Sequence, residues 1–305
     1  MSRQGTAPAL GPVWITGAGG LIGHALVQVS SERSATDWGT GAGGRGCSIL
    51  ALTRGIVDLT HFAAVDRLFT EEQPVGVIHC AAMSKSPDCQ KDPANARLNN
   101  VEVTRHLANL ACEIPFLFLS TDLVFDGRRG GYSESDPVNP LSVYAETKAE
   151  AEQIILSNQR HSVIRTSLNC GKSPSGHRAF NEEMRNTWQL GRTLDLFVDE
   201  FRTPISALET ARNIWKLLTA GQTGLFHLAG GERLSRYEIG LKVAEVCRKQ
   251  DPSLLTSLRP ASLTHYQGAP RAPDTCLDCR RIEETLGIKM PLFSTWIIEQ
   301  LSQSK

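Results

Sequence analysis

Short apolar runs alternate, along the first half of the chain, with stretches whose apolar residues recur every three or four positions. The runs predict strands buried on both faces, and the wider spacing predicts amphipathic helices. Predicted strands cover residues 13–16, 48–53, 75–80, 116–120 and 162–166. Predicted helices include one around residues 98–111 and one that contains residue 144 and continues to about residue 157. This alternation indicates an α/β fold, a parallel sheet covered by helices.

The composition narrows the class of protein. The 305 residues suffice for one large α/β domain with a smaller appended part, and 32 Lys plus Arg balance 32 Asp plus Glu. Without net charge, the chain has no overall attraction for nucleic acid or for an anionic membrane, so we expect neither as a partner. It lacks an apolar run of the roughly 20 residues that span a bilayer and a signal-peptide pattern. We therefore expect a cytoplasmic protein.

Cysteines and glycines outside the motifs below indicate no further chemistry. The eight cysteines are scattered, which favours reduced thiols in the cytoplasm. Cys276 and Cys279 have the spacing of half a zinc site or of a redox pair, but no second pair accompanies them. No histidines have metal-ligand spacing either, so no metal is expected. Residues 31–47 contain five glycines and are interpreted as a flexible insertion.

A glycine-rich loop lies between the first predicted strand and the first predicted helix, with the sequence Thr16-Gly17-Ala18-Gly19-Gly20-Leu21-Ile22-Gly23. Gly17 permits a tight turn, Gly20 lets a diphosphate approach the backbone, and Gly23 allows close packing of the helix. A helix N-terminus binds phosphates because its N–H groups are unpaired. The loop predicts a dinucleotide cofactor bound by Gly17, Gly20, Leu21, Ile22 and Gly23.

The end of the second predicted strand bears on which cofactor is used. An acidic residue there would bind the adenosine ribose, but this chain has Thr53-Arg54. A cation suits the 2′-phosphate of NADP, so we predict NADP(H), with NAD(H) as the alternative. Asp58 is a candidate partner for the adenine amino group. The remaining predicted cofactor contacts are Leu59 and the residues that follow the third strand, Cys80, Ala81 and Ala82.

Tyr144 and Lys148 lie four residues apart on one predicted helix, so their side chains share a face. An ammonium beside a phenol stabilises the phenolate, and we expect Lys148 to lower the pKa of Tyr144 from its usual value of about 10. Such a phenol transfers protons near neutral pH. Thr121 follows the fourth predicted strand, at the edge where open parallel sheets bind ligands. These three residues form the predicted catalytic group of a nicotinamide-dependent enzyme.

The motifs also divide the chain. All the residues assigned so far precede residue 167, and the later sequence is less regular, with Gly and Pro clusters at residues 171–176 and 268–273. Such segments are typical of loops that contact a substrate. We predict a Rossmann-type, doubly wound parallel sheet in residues 1–167. Residues 168–305 are assigned mainly to a smaller substrate-binding part, intertwined with the first.

Together these motifs resemble the extended short-chain dehydrogenase/reductases, and within them the dTDP-4-dehydrorhamnose reductase branch. The resemblance spans nearly the whole chain. Besides the glycine loop and the small residues after the third strand, it rests on Leu98-Asn99, residues 120–127, residues 139–144 with Lys148, residues 202–206 and residues 226–231. It implies hydride transfer to C4 of a 4-keto deoxysugar nucleotide, giving a 4-hydroxy sugar.

The resemblance also implies a role for individual residues. Tyr144 would donate the proton, Lys148 would bind the nicotinamide ribose and lower the tyrosine pKa, and Thr121 would hydrogen-bond the reacting oxygen. Asn99 matches an asparagine of the proton relay and is included among the cofactor contacts. Asp122, with Thr121, matches a position that contacts the substrate.

The resemblance leaves alternatives open. Related dehydratases carry Thr-Asp-Glu, whereas this chain has Leu123 in place of the glutamate, which disfavours dehydration. A sugar-nucleotide epimerase remains an alternative, since epimerases share the Tyr/Lys pair. A second alternative is a regulatory subunit resembling that of methionine adenosyltransferase, which acts by binding a partner. Leu168 stands where the reductases commonly have a Trp, so the identities of the sugar and of the nucleotide are left open. Whether the protein forms a homodimer is also left open.

Overall fold

The computed structural model describes residues 11–32 and 48–302, so all but the first two residues of the predicted insertion at 31–47 lie outside the described residues. The strands are β1 Val13–Thr16, β2 Ile49–Leu52, β3 Gly76–His79, β4 Phe116–Thr121, β5 His161–Thr166, β6 Asn169–Cys170, β7 Leu194–Phe197, β8 Phe201–Arg202, β9 Ile205–Ser206, β10 Gly224–Leu228, β11 Leu234–Ser235 and β12 Leu258–Ala261. The helices are α1 Leu21–Glu32, α2 Phe62–Glu72, α3 Ser86–Lys91, α4 Pro93–Arg97, α5 Val103–Leu110, α6 Val143–Leu156, α7 Phe180–Gln189, α8 Ala207–Thr219, α9 Arg236–Gln250, α10 Arg280–Leu286 and α11 Phe293–Ser302.

Six parallel strands form the main sheet in the order β2-β1-β3-β4-β5-β10. The chain moves outward from β1 to β2 and then crosses to β3 on the other side, so the strand order reverses between β1 and β3. Open sheets bind ligands beside such a reversal, at the carboxyl ends of the strands. The predicted Rossmann-type α/β fold is confirmed.

Helices cover both faces of this sheet because its strands present apolar side chains on both faces. Phe116 and Phe118 of β4 pack in a core cluster with apolar residues of α2, α5 and α6. Leu117, between them, packs in a second cluster with residues of α1 and α8. Successive side chains of a strand point to opposite faces, so a strand covered on both sides needs a continuous apolar run.

One predicted helix is less regular than the sequence suggests. Instead of a single helix over residues 98–111, α4 passes into a π-helical turn at Leu98–Glu102 and then into α5. A π turn places one extra residue in the helix and is frequent at functional sites. The spacing of apolar residues does not reveal the π turn, because the helices before and after it keep a buried face.

The later residues build their own small layer and also complete the main sheet. Three two-stranded ladders pair β6 with β9, β7 with β12, and β8 with β11. Trp188 and Trp296 are buried in a third core cluster with residues of α7, α9 and α11. However, β10 is an edge strand of the main sheet, and the indole of Trp215 on α8 donates to Leu26 O of α1 at 3.0 Å. The later residues are thus interwoven with the earlier ones. The boundary at residue 167 stays a prediction.

Searched over the described part of the chain, no helix combines the length and apolar character needed to cross a membrane.

Candidate functional site

A cleft of about 1050 Å³ lies at the carboxyl edge of the main sheet. Its lining includes every residue that the sequence assigned to the site: Gly17, Gly20, Leu21, Ile22, Gly23, Arg54, Asp58, Leu59, Cys80, Ala81, Ala82, Asn99, Thr121, Asp122, Tyr144 and Lys148. Residues beyond 167 form the facing wall. The fold thus brings the predicted cofactor, catalytic and substrate residues to one place, and their individual roles remain predictions.

The glycine loop is folded so tightly that side chains are excluded at two of its positions. Gly17 has a φ of +68°, and a Cβ there would lie 2.7 Å from Ala81 N. A Cβ at Gly23 would lie 2.3 Å from Gly17 O. By contrast, a Cβ at Gly19 would meet nothing closer than 4.0 Å, so this side of the loop is open. The open loop precedes the N-terminus of α1 and fits the diphosphate of a dinucleotide.

Arg54 and Asp58 lie at the rim of the cleft, after β2. Asp58 accepts from the backbone N–H of Thr60 at 2.9 Å and from its hydroxyl at 2.7 Å. These bonds lower the pKa of Asp58, and the charge of Arg54 lowers it further. Arg54 is exposed and, in the part of the chain that the structure describes, pairs with no carboxylate. Its guanidinium is therefore available for a phosphate at the rim.

A buried chain of hydrogen bonds lies beneath the glycine loop. Ala81 N donates to the Thr16 hydroxyl, which lies 2.7 Å from His79 Nδ1. His79 Nε2 lies 3.0 Å from the Thr104 hydroxyl, which donates to Asn100 O. Since Thr104 uses its hydrogen there, Nε2 is the protonated nitrogen of a neutral imidazole. Burial lowers the pKa of His79 to about 3, which keeps the ring neutral.

Asn100, rather than its neighbour Asn99, makes the buried contacts of the π turn. Its side chain accepts from Met83 N at 2.8 Å and donates to Met83 O at 3.1 Å and to the Thr147 hydroxyl at 3.0 Å. Asn99 lines the cleft, but its amide bonds Asn95 within its own helix. The sequence analysis missed Asn100. Helical spacing could have found it, because it lies four residues after buried Ala96.

The predicted catalytic side chains meet where β4 ends and α6 begins. Ser142 caps α6 by accepting from Ala145 N, which sets the start of the helix one residue before Tyr144. The Tyr144 side chain lies beside the Thr121 side chain, and both line the cleft. Thr121 is fixed in turn, since it accepts from Leu123 N at 3.2 Å.

The expected lowering of the tyrosine pKa is wrong for this structure. Burial raises the pKa of Tyr144 above its usual range, and the negative charge of Asp122 raises it further. Lys148 does not offset this, because its ammonium donates to Leu119 O at 2.6 Å and lies 3.8 Å from the centre of the Phe118 ring. Its own pKa is lowered to about 7 by burial. The phenol is therefore held protonated, in the state of a proton donor.

Asp122 ties three segments together at the floor of the cleft. It is 4% exposed and accepts at 2.8 Å from the hydroxyls of Ser167 and Thr275. The Nε atom of Arg202 lies 3.7 Å from the same carboxylate oxygen. Buried carboxylates need such partners, so this residue holds the later segments against the end of β4.

The facing wall contains residues that the sequence analysis did not single out. They are Phe180, Glu200, Arg236, Tyr266 and Arg271. No spacing rule links them, because they come from α7, α9 and two loops. Leu168 also lines the cleft and packs beside the third core cluster, so the aromatic surface of this wall comes from Phe180 and Tyr266 instead.

Comparisons with known proteins agree with this geometry. The chain is 31% identical over 284 residues to a probable low-salt glycan biosynthesis reductase, Agl14, of Haloferax volcanii, covering 91% of this chain and 93% of that protein. It is 30% identical over 287 residues to methionine adenosyltransferase 2 subunit beta of Bos taurus, covering 90% of this chain and 82% of that protein.

A solved structure shows the same fold. It is that of the dTDP-4-dehydrorhamnose reductase of Bacillus anthracis in complex with NADP, with a TM-score of 0.84 and 21% identity, covering 97% of this chain and 100% of that chain. The family described as RmlD substrate binding domain matches residues 12–305. The chain therefore belongs to this family, the dTDP-4-dehydrorhamnose reductase branch of the extended short-chain dehydrogenase/reductases.

Proposed function

We propose that the protein is an NAD(P)H-dependent reductase of a 4-keto deoxysugar nucleotide, similar to the dTDP-4-dehydrorhamnose reductases. One observation carries this proposal: a protonated Tyr144, beside Thr121, lies in the same cleft as a glycine loop suited to a dinucleotide. NADP(H) is the preferred cofactor, because Arg54 offers an exposed guanidinium where a 2′-phosphate would lie.

The side chains divide the chemical task between them. When bound, the nicotinamide supplies the hydride. Thr121 and Tyr144 both line the cleft, and their hydroxyls are the groups that would hydrogen-bond a carbonyl oxygen of the substrate. As negative charge develops on that oxygen, Tyr144 gives up its proton, because an alkoxide is a stronger base than a phenolate. The raised pKa keeps the proton on Tyr144 until that moment.

Asp122 and Lys148 support Thr121 and Tyr144. We infer that Asp122 keeps Tyr144 protonated between turnovers and orients Thr121, whose hydroxyl lies 3.2 Å from a carboxylate oxygen of Asp122. Lys148 lies one helical turn from Tyr144 and provides the positive charge nearest the ribose region of the cofactor. Its contacts with Leu119 O and Phe118 fix that charge at the end of β4.

A second candidate function is favoured by one observation, the 30% identity to a methionine adenosyltransferase beta subunit. In that case the cleft would still bind a dinucleotide, but Tyr144 would have no chemical role, and the surface that binds the catalytic subunit would carry the function.

One experiment separates the two functions. NADPH oxidation is measured with a panel of 4-keto sugar nucleotides, for the wild type, for Tyr144→Phe and for Tyr237→Phe, a matched control outside the cleft lining. We expect Tyr144→Phe to keep NADPH binding and to lose turnover by about 10²–10⁴-fold, the usual contribution of a general acid. Tyr237→Phe should be near wild type. If the wild type reduces none of the panel but binds a methionine adenosyltransferase, the second candidate replaces the first.

A further inference from the structure

Three buried charged side chains lie in a row between α6 and the main sheet. Lys148, Glu152 and Arg165 are 3%, 3% and 4% exposed, so water solvates none of them well. Glu152 follows Lys148 by four residues on α6, which places both side chains on one face of the helix. Arg165, on β5, donates to both carboxylate oxygens of Glu152 at 2.7 to 3.1 Å. One carboxylate therefore serves two buried cations.

The two cations lie on different sides of this carboxylate. The ammonium of Lys148 donates to Leu119 O of β4 at 2.6 Å. Arg165 lies on the side of β10, where its Nη1 atom is 3.4 Å from His227 Nε2. Between them, the hydroxyl of Ser120 on β4 donates to the carboxylate at 2.5 Å. The carboxylate is thus held beside the strand that Lys148 contacts.

The other titratable groups around Lys148 carry no charge that could stabilise its ammonium. On the side of β3, burial lowers the pKa of His79 to about 3 and raises the pKa of Cys80 to about 12, so both are neutral. On α6 itself, the raised pKa of Tyr144 keeps the phenol protonated. Within residues 11–32 and 48–302, Glu152 is therefore the anion that acts on Lys148.

Lys148 needs such an anion, because its ammonium has lost most of its water. Burial lowers the pKa of Lys148 to about 7, and the charge of Glu152 opposes this change. Of the three donors of the ammonium, one has an acceptor in the described part of the chain, Leu119 O. An opposite charge within about 4–6 Å typically favours the charged form by one or more pKa units. Without Glu152, the neutral amine would predominate at neutral pH.

We propose that Glu152 is a positioning residue for the cofactor: its buried carboxylate keeps Lys148 an ammonium, whose remaining N–H donors bind the ribose hydroxyls of the dinucleotide. This inference rests on the proposed function, which places Lys148 at the nicotinamide ribose. Arg165 and Ser120 hold the carboxylate in place, and Glu152 itself does not touch the cofactor.

The test is an equilibrium titration with NADP⁺ at pH 5 and pH 8. Wild type is compared with Glu152→Gln, with the charge-conserving Glu152→Asp and with Glu150→Gln. Glu150 is a matched control, because it lies on the same helix but pairs with Arg97 at the surface. The ratio of variant to wild-type affinity at each pH removes the titration of the cofactor's own phosphate.

Binding to the ribose needs the ammonium, so affinity falls as the pH rises through the pKa of Lys148. Glu152→Gln should lower this pKa by about one to two units. The variant should therefore bind NADP⁺ about 10- to 100-fold more weakly than wild type at pH 8, but less than about threefold more weakly at pH 5. Glu152→Asp should recover part of the loss at pH 8, and Glu150→Gln should bind as wild type does at both pH values.

The same comparison is made with Lys148→Arg as the parent protein. A guanidinium stays charged at both pH values, so adding Glu152→Gln should then cause no loss that depends on pH. A persisting pH-dependent loss would show that Glu152 acts on another group, and would overturn the proposal.

An equal loss in Glu152→Gln at pH 5 and pH 8 would also overturn the proposal, since it would indicate a structural role alone. So would unchanged binding at both pH values. Thermal unfolding identifies a variant that is not folded. If Glu152→Gln fails this check, Glu152→Leu/Arg165→Met takes its place, because it removes the carboxylate without leaving an unpaired guanidinium. It should show the same kind of loss, confined to pH 8.

Activity assays separate this inference from the proposed function. If the pH-dependent loss of NADP⁺ affinity is found but no 4-keto sugar nucleotide is reduced, the role of Glu152 stands and the reductase fails. If reduction occurs and Glu152→Gln leaves the affinity for NADP⁺ unchanged at pH 8, the reductase stands and the role of Glu152 fails. If the wild type binds no dinucleotide, both fail.

Discussion

Arg54 is the single exposed side chain to which we assign the choice of cofactor. We predict that Arg54→Gln weakens NADPH by about 10- to 100-fold and leaves NADH nearly unchanged, because only NADPH carries the 2′-phosphate. Fluorescence titration with both cofactors measures this. Arg67→Gln, an exposed arginine of α2 that does not line the cleft, is the control. An equal loss of affinity for both cofactors would remove Arg54 from the phosphate site.

Lys148 shows the energetic cost of placing a charge in the site. It is 3% exposed and burial lowers its pKa to about 7, whereas an unfolded lysine has a pKa of about 10.4. Between these values the unfolded chain binds more protons, so this lysine destabilises the fold fully below pH 7 and less as the pH rises towards 10. Lys148→Met should therefore raise the free energy of unfolding at pH 6 by about 3–5 kcal/mol.

Urea unfolding at pH 6 and pH 10 checks this prediction, and the gain should be smaller at pH 10. Lys249→Met, which removes an exposed lysine, is the control and should change stability little at either pH. A gain of the same size at both pH values would show that Lys148 is not buried as an ammonium. The same variant should lose cofactor affinity, a trade of activity for stability that is common at active sites.

Single residues were predictable from the sequence where a fixed spacing defines them. The glycine loop and the Tyr144/Lys148 pair depend on neighbours along the chain, and all of them line the cleft. The direction of the Tyr144 pKa was not predictable in this way. It depends on burial and on Asp122, and on Lys148 turning towards Leu119, which are consequences of packing. Arg236 was missed for the same reason.

At the scale of elements, the π turn gives the adjacent residues Asn99 and Asn100 different hydrogen-bond partners. Asn100 bridges Met83 to Thr147, which lies between Tyr144 and Lys148 on α6. We predict that Asn100→Ala lowers the free energy of unfolding by about 1–3 kcal/mol, because buried groups lose their partners, and lowers turnover as α6 shifts. Asn99→Ala should cost less than about 1 kcal/mol. Urea unfolding and turnover are measured for both, and a larger effect of Asn99→Ala would return the role to that residue.

The buried ion pair between α6 and β5 supports the same helix. Glu152 and Arg165 are 3% and 4% exposed, joined by bonds of 2.7 to 3.1 Å, and Ser120 donates to Glu152 at 2.5 Å. Glu152→Ala leaves a buried guanidinium uncompensated, so we predict a loss of about 3–5 kcal/mol in urea unfolding. Glu150→Ala, on the same helix, breaks the exposed pair with Arg97 and should cost less than about 1 kcal/mol.

The double variant Glu152→Leu/Arg165→Met gives the sharper comparison. Replacing both charges by apolar groups of similar size should cost less than removing Glu152 alone, because no unpaired charge remains. If the double variant is less stable than Glu152→Ala, the ion pair itself stabilises the fold. In that case it does more than compensate the charge of each partner.

For the whole molecule, the sequence predicted the five strands up to residue 166, because each contains a short apolar run, but it did not predict α3 and α4. It did not predict that the main sheet takes its last strand from residues 224–228, or that α8 packs on α1. Gly224–Leu228 pairs in parallel with β5 across some sixty residues of chain, and such long-range pairing leaves no local pattern.

This long-range pairing predicts that the chain unfolds as one unit. Without β10 and α8, residues 1–167 would expose the apolar face of α1 that Ile214 and Trp215 cover. Urea unfolding followed by tryptophan fluorescence, from Trp14 and Trp215 beside the main sheet and from Trp188 and Trp296 in the later layer, should therefore coincide with far-UV circular dichroism. NADP⁺ at 100 times its Kd should shift both curves together, adding about 2.7 kcal/mol. Two separate transitions, with only one shifted by NADP⁺, would instead establish residues 1–167 as an independent domain.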